Sequence, residues 1–298
     1  MNKLPDFKSG FITIAGAPNV GKSTLLNWML GTKISITSKK PQTTRNRILG
    51  IVHRPSAQFV FVDTPGVHDA KNTLNIRMVD TAVSSMSNVD AILFITDISN
   101  PDPASETIVV NKLEKQSKPV ILALNKIDLV KKPLVLTAID KWSKAYSFES
   151  IIPVSAKQGD QVEELLDAME KFLPKGQPWF PEETVTDIPE RFIAAEMIRE
   201  KVFRLTGQEI PYSTAVTIDS FSEERKGSLV KIHATIHIER DSQKGIIIGK
   251  SGTKLKQIGE EARKEIELMV GTQVFLKLFV RVQKNWSRDT KALRKFGY

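Results

Sequence analysis

The chain has 298 residues, 41% hydrophobic and 26% charged, which suits about two packed domains and excludes wholesale disorder. Lys and Arg number 43 against 34 Asp and Glu, a net +9 that favours a polyanionic partner without naming one. Cysteine is absent, which excludes disulfides, thiol catalysis, zinc ribbons and cysteine-ligated iron–sulfur clusters.

The amino-terminal residues carry no apolar signal-peptide core, and no apolar run approaches the ~20 residues that span a bilayer. A cytoplasmic protein is expected. From residue 1 to 173, short apolar runs at 11–15, 58–62, 91–96, 120–124 and 151–154 read as strands. Helical candidates lie between and after them, at 22–30, 72–87, 105–116, 133–146 and 162–172. This alternation predicts an α/β domain with a mostly parallel sheet and helices on both faces. Ligands of such sheets bind in loops at the carboxyl ends of strands. Residues 174–189 hold Pro174, Pro178, Pro181 and Pro189 among polar residues, and read as a linker.

Residues 190–298 follow a different order, which predicts a small α+β domain. A helix at 190–205 carries Ala194, Ile198, Val202 and Leu205 on one stripe, and strands follow at 214–221 and 228–239. The turn Gly245-Ile246-Ile247-Ile248-Gly249-Lys250-Ser251-Gly252 precedes an amphipathic helix with Leu255, Ile258, Ala262, Ile266 and Met269 on one face. The last strand spans 274–282. From Asp241 to Tyr298 there are 13 Lys and Arg against 6 Asp and Glu, whereas residues 181–240 hold 8 against 11. The positive charge of this domain is gathered around and after the glycine turn. His233 and His237 lie four apart on one strand face and read as a solvated sheet face, with no metal site. The tail 284–298 can form a basic helix anchored by Trp286, Leu293 and Phe296. It would touch RNA, rest weakly on an anionic membrane, or pack on the sheet.

Gly16-Ala17-Pro18-Asn19-Val20-Gly21-Lys22-Ser23, followed by Thr24, fits a phosphate-binding loop between a strand and a helix. Its backbone N–H groups and the helix dipole face an anion, Lys22 brings charge to the β- and γ-phosphates, and Ser23 offers a hydroxyl to Mg²⁺. Asp63-Thr64-Pro65-Gly66 follows a strand, so Asp63 can hold Mg²⁺ and the Gly66 N–H can meet the γ-phosphate. Asn125-Lys126-Ile127-Asp128 follows the next, and a carboxylate at Asp128 can accept from guanine N1–H and the exocyclic amine. Ser155-Ala156-Lys157 follows another, and its backbone can reach the guanine O6.

Over about residues 8–172 these loops resemble the translation-factor-like branch of GTPases. The resemblance implies GTP and GDP as nucleotides, and a first switch loop at Pro41, Gln42, Thr43, Thr44 and Arg45. Thr44 would close over Mg²⁺ beside Ser23 and Asp63, with Thr43 the other candidate. Val67 stands where many such GTPases place a water-orienting Gln, so slow intrinsic hydrolysis is expected. Lys22, Thr44 and Gly66 are then the catalytic candidates, with Asn19, which in related bacterial GTPases helps to hold K⁺. His68 is a competing helper.

The turn Gly249-Lys250-Ser251-Gly252 resembles the GXXG loop of a type II KH domain, which clamps a nucleic-acid backbone. Lys244, Ile246, Ile247, Ile248, Gly249, Lys250, Ser251, Gly252 and Lys254 are the RNA-binding candidates. Together the halves resemble the Era-type GTPases, ribosome-assembly GTPases with a carboxy-terminal KH domain. That resemblance implies binding near the 3′ end of small-subunit (16S) rRNA, action in 30S assembly, and a monomer. The competing readings are a GTP-gated signalling or cell-cycle switch with a protein or membrane partner, and an RNA-binding module whose nucleotide only stabilises the fold.

Overall fold

The computed structural model describes residues 6–38, 43–66, 73–207, 210, 214–224 and 228–296, which form two compact units. The first unit holds Met1–Ser35, Thr44–Lys71 and Asn75–Asp187. Its six-stranded sheet is built from β1 (Lys8–Gly16), β2 (Ile48–His53), β3 (Ala57–Asp63), β4 (Ala91–Asp97), β5 (Val120–Asn125) and β6 (Ser150–Val154), in the order β2-β3-β1-β4-β5-β6. Only β2 runs antiparallel to its neighbour. β3, β4 and β5 are buried along their whole length, which is why their centres read as apolar runs.

The helices are α1 (Lys22–Leu30), α2 (Thr73–Ser84), α3 (Pro103–Leu113), α4 (Lys132–Ala145) and α5 (Val162–Glu170). α3 starts two residues earlier than its apolar pattern suggests. Asp102 caps it by accepting from Ser105 N–H at 3.1 Å, and Pro103 takes the first position, where a missing N–H costs nothing.

The proline-rich stretch expected as a linker is fastened to the first unit through residue 187. Ile51 N–H donates to the Val185 carbonyl at 2.9 Å, and the Thr186 hydroxyl donates to the Leu49 carbonyl at 2.6 Å. Gln58 is fully buried on β3; it accepts from Trp179 N–H at 2.7 Å and donates to the Phe180 carbonyl at 2.8 Å. Prolines lack an N–H, but the carbonyls of this segment still accept and its Thr186 hydroxyl donates, so the segment satisfies the free side of edge strand β2.

The second unit gathers Ile188–Tyr298 with two earlier segments, Ile36–Thr43 and Asn72–Leu74. Its elements are α6 (Glu190–Leu205), β7 (Ala215–Glu224), β8 (Leu229–Ile238), α7 (Asp241–Ile248), α8 (Thr253–Val270), β9 (Gln273–Val282) and α9 (Thr290–Lys295). β7 and β8 are antiparallel, and β8 and β9 are parallel, with α7 and α8 forming the crossover. α6 is buried nearly all round rather than along one stripe. Its buried charges are paired, Arg199 with Glu196 within the helix and Lys201 with Glu200 and with Glu265 of α8, and Glu200 accepts from Thr37 N–H at 3.0 Å.

Candidate functional site

β1 ends at Gly16 and α1 begins at Lys22, so the intervening turn lies at the carboxyl edge of the sheet. Ala17 and Val20 are buried, Pro18 is half-buried, and Asn19 is exposed with φ +64°. Gly21 has φ +104°, and a Cβ there would lie 2.2 Å from Asn125 Nδ2, so only glycine fits. Lys22 is buried, and its ammonium donates to the Gly16 and Ala17 carbonyls at 3.1 and 2.7 Å. Burial lowers its pKa to about 8, partly offset by the Asp63 carboxylate. Burial raises the pKa of Asp63, opposed first by Lys22 and then by hydrogen bonds from Ser23 and Ser35. Thr24 is half-buried in the first turn of α1.

Asp63 Oδ2 accepts from Ser23 Oγ at 2.8 Å and from Ser35 Oγ at 2.9 Å, while Thr44 Oγ1 stands 2.9 Å from Ser23 Oγ. Asp63 Oδ1 is buried without a hydrogen-bond partner. An orphaned carboxylate oxygen beside two hydroxyls is an all-oxygen donor set, which suits a hard cation of the Mg²⁺ kind. Thr44 joins this cluster; Thr43 does not, and its carbonyl accepts from Arg199 instead. Thr64 Oγ1 donates to the Ile14 carbonyl at 2.9 Å, which ties the loop to β1, and Pro65 and Gly66 are buried beside it. Pro41, Gln42, Val67 and His68 lie outside the described residues.

The two remaining loops close the other side. Asn125 donates from Nδ2 to the Val20 carbonyl at 2.7 Å and accepts at Oδ1 from Ala156 N–H at 2.9 Å, so one side chain joins three loops. The Ala156 N–H is thereby engaged within the protein. Lys126 donates to the Asn19 carbonyl at 2.9 Å and pairs with Asp97. Asp128 is half-buried and accepts from Ser155 Oγ at 2.7 Å; Lys157 is exposed. Sequence reasoning missed Ser35 and Asp97. Asp97 carried a usable signal, an acid at the carboxyl end of an apolar strand, whereas Ser35 is one polar loop residue among many.

In the second unit, residues 245–248 form the end of α7 rather than part of an irregular turn. Gly249, φ +72°, ends that helix, and a Cβ on it would lie 2.7 Å from the Lys254 Cβ. Lys250 and Ser251 are exposed between Gly249 and Gly252; Lys244 is exposed and Lys254 half-buried. Ile246 is half exposed and Ile248 half-buried, so both offer apolar surface beside the turn. Ile247 is not part of that surface: it is fully buried, because a helix turns successive side chains by about 100°.

The tail also differs from a single long helix. α9 is short, and Trp286, Leu293 and Phe296 are buried as its anchors. The Phe296 ring lies 4.5 Å from His237, which makes His237 a buried residue rather than a solvated one; desolvation lowers its pKa to about 4. Among the described residues there is no cluster of acids and histidines fit for a further metal, and no helix long and apolar enough to cross a membrane.

A glycine turn leading into α1, the acid-bearing loop of Asp63 and the two loops joined by Asn125, all at one sheet edge, form the arrangement of a P-loop GTPase domain, here followed by an α+β unit with the KH order of elements. The family model described as 50S ribosome-binding GTPase matches residues 11–126, and a KH domain model matches residues 209–287. GTPase Era of Geotalea uraniireducens is 55% identical over 98% of both chains, and GTPase Era of Geobacter metallireducens is 54% identical over the same shares. A crystal structure of Era in complex with MgGDPNP and nucleotides 1506–1542 of 16S ribosomal RNA superposes with a TM-score of 0.94 at 43% identity. It covers 98% of this chain and 99% of that one. A variant of Aquifex aeolicus Era bound to GDP and aluminium fluoride gives the same TM-score at 42% identity, over the same shares. The chain belongs to the Era family of GTPases.

Proposed function

We propose that this chain binds GTP and GDP with Mg²⁺, hydrolyses GTP, and binds 16S rRNA near its 3′ end during assembly of the 30S subunit. The observation that carries the RNA half is the full-length likeness to an Era bound to nucleotides 1506–1542 of 16S rRNA, combined here with an exposed Lys250-Ser251 pair between two glycines. The likeness also favours the small subunit over the large one named by the broader family model. Residues 1–173 are assigned to nucleotide work, 190–298 to RNA. The protein acts as a cytoplasmic monomer, and the buried anchors of α9 leave little apolar surface for holding a membrane.

Ser23, Thr44 and Asp63 would hold Mg²⁺, which when bound offsets charge on the β- and γ-phosphates. Lys22 exchanges its two carbonyl partners for phosphate oxygens. Gly66 N–H meets the γ-phosphate. Asn125 and Lys126 brace the loops, while Asp128 reads the guanine edge. Asn19, exposed in the phosphate turn, would help to hold K⁺. Turnover is expected to be about tenfold faster in KCl than in NaCl, where the charge on the transferring group is less well offset. Equal rates in the two salts, measured by phosphate release, would remove K⁺ from the reading.

The RNA assignment is tested by Lys250→Glu. It is expected to weaken binding of 16S nucleotides 1506–1542 by about tenfold, by reversing a charge at the backbone clamp, and to leave GTP affinity unchanged. Fluorescence anisotropy with the labelled fragment reads this directly; unchanged RNA affinity would refute the turn as the RNA site.

A further inference from the structure

We infer that the open face of the β7-β8-β9 sheet is a second surface for single-stranded RNA, with Phe275 and Phe279 as stacking platforms. The inference rests on the RNA-binding reading above but concerns residues that reading does not use.

β9 alternates strictly. Val274, Leu276, Leu278 and Val280 point to the helix side, where a Cβ on Gly259 of α8 would lie 3.5 Å from Leu278. Phe275, Lys277, Phe279 and Arg281 point the other way, and all four are exposed. Phe275 is 50% and Phe279 45% exposed, a large apolar area to leave in water on a sheet face. The parallel register sets Lys231 beside Phe275, His233 beside Lys277, Thr235 beside Phe279 and His237 beside Arg281. His233 stands edge-on to both rings, at 6.5 and 6.3 Å, and Lys277 Nζ lies 5.2 Å from the Phe279 ring centre. The far end of this face is closed, since Phe296 covers His237. What stays open is a row of ring, cation, ring, cation along an edge strand.

That row fits a nucleic-acid strand better than an apolar protein surface. Residues two apart on a strand are ~7 Å apart, so the two rings are separated by about 13 Å, room for bases to stack on each with phosphates passing the intervening cation. The acids on this side are already engaged. Glu224 pairs with Lys231 at 2.7 Å, and Asp219 accepts from Thr235 at 2.6 Å. β9 itself carries two cations, Lys277 and Arg281, and no acid, so a polyanion complements its edge. Stacking on exposed aromatics tolerates any base, so this surface would hold RNA running beyond the four nucleotides that a GXXG turn clamps, without reading its sequence.

The test uses the full chain and two unstructured, labelled RNAs of mixed A and C. One has about 5 nucleotides, enough for the turn alone; the other has about 25, enough to reach both surfaces. Phe275→Ala with Phe279→Ala is expected to lower affinity for the longer RNA by about tenfold or more and to leave the shorter one unchanged. Phe275→Tyr with Phe279→Trp is expected to restore it, which loss of folding could not mimic. Lys277→Gln with Arg281→Gln is expected to flatten the dependence of log affinity on log salt by about 1.4 for the longer RNA. Unchanged affinity of the alanine pair for the longer RNA overturns the proposal and leaves the face to a protein partner. An equal loss for both RNAs also overturns it. If Lys250→Glu leaves both RNAs unaffected while the alanine pair still loses the longer one, the turn reading fails and the sheet face stands.

Discussion

Asp128→Asn is expected to cost about a thousandfold in GTP affinity. The carboxylate can accept two hydrogen bonds from guanine, and charge-assisted bonds of this kind contribute about 1.5–3 kcal/mol each. An amide keeps one acceptor and turns its other half into a donor that faces the donor amine of guanine. Ser155 Oγ, 2.7 Å from Asp128 Oδ1, can still donate to the amide oxygen, so the loop has no reason to collapse. Xanthosine triphosphate carries a carbonyl where guanine carries the amine, and it is expected to bind the variant better than GTP does. Calorimetric titration of both nucleotides into both proteins checks this; similar GTP affinities in the two proteins would displace Asp128 from the guanine edge.

The second large effect lies at Lys22. Its ammonium sits in a buried pocket with a pKa near 8, which phosphates would raise by supplying opposite charge. Below pH 8 the group is charged before and after nucleotide binding, so affinity is flat. Above pH 8 the free protein must first take up a proton, and affinity falls towards tenfold per unit. Between pH 7 and 9 the expected loss is about tenfold, accompanied by proton uptake visible as a dependence of binding heat on the buffer. Lys22→Gln is expected to bind about a hundredfold more weakly and to lose this slope, while keeping any contribution from titration of guanine itself. A slope that persists in Lys22→Gln would place the proton elsewhere.

Much of the fold is legible in the sequence, for a physical reason. β3, β4 and β5 are covered on both faces, so burial wrote them as apolar runs, and the motifs at 63–66 and 125–128 stand at the ends of β3 and β5. β2 escaped because Gly50 interrupts its run. The structure explains the glycine: a Cβ there would lie 2.6 Å from Leu26 Cδ1, so the strand trades a readable pattern for close packing on α1. The candidate site divides in the same way. Lys22, Asp63, Asn125 and Asp128 announce themselves by spacing, whereas Ser35 reaches Asp63 only through a loop conformation fixed by Asn27, which accepts from Ile34 and Ser35 N–H. The burial of His237 and Ile247 is not legible in the sequence, because α9, far along the chain, covers one and a short helix with Gly245 in its last turn hides the other.

The parallel pairing of β8 with β9 has a consequence for synthesis. The turn at Gly249–Gly252 lies inside the crossover between those strands, so the order of the chain places its scaffold last. Every loop of the nucleotide pocket precedes residue 158 and can assemble on a sheet that is complete by β6. The KH sheet cannot close until β9 has left the exit tunnel, because a parallel partner cannot be supplied by a hairpin. A growing chain is thus expected to acquire its nucleotide pocket well before it can grip RNA, which keeps half-made copies from competing for the RNA that finished ones serve.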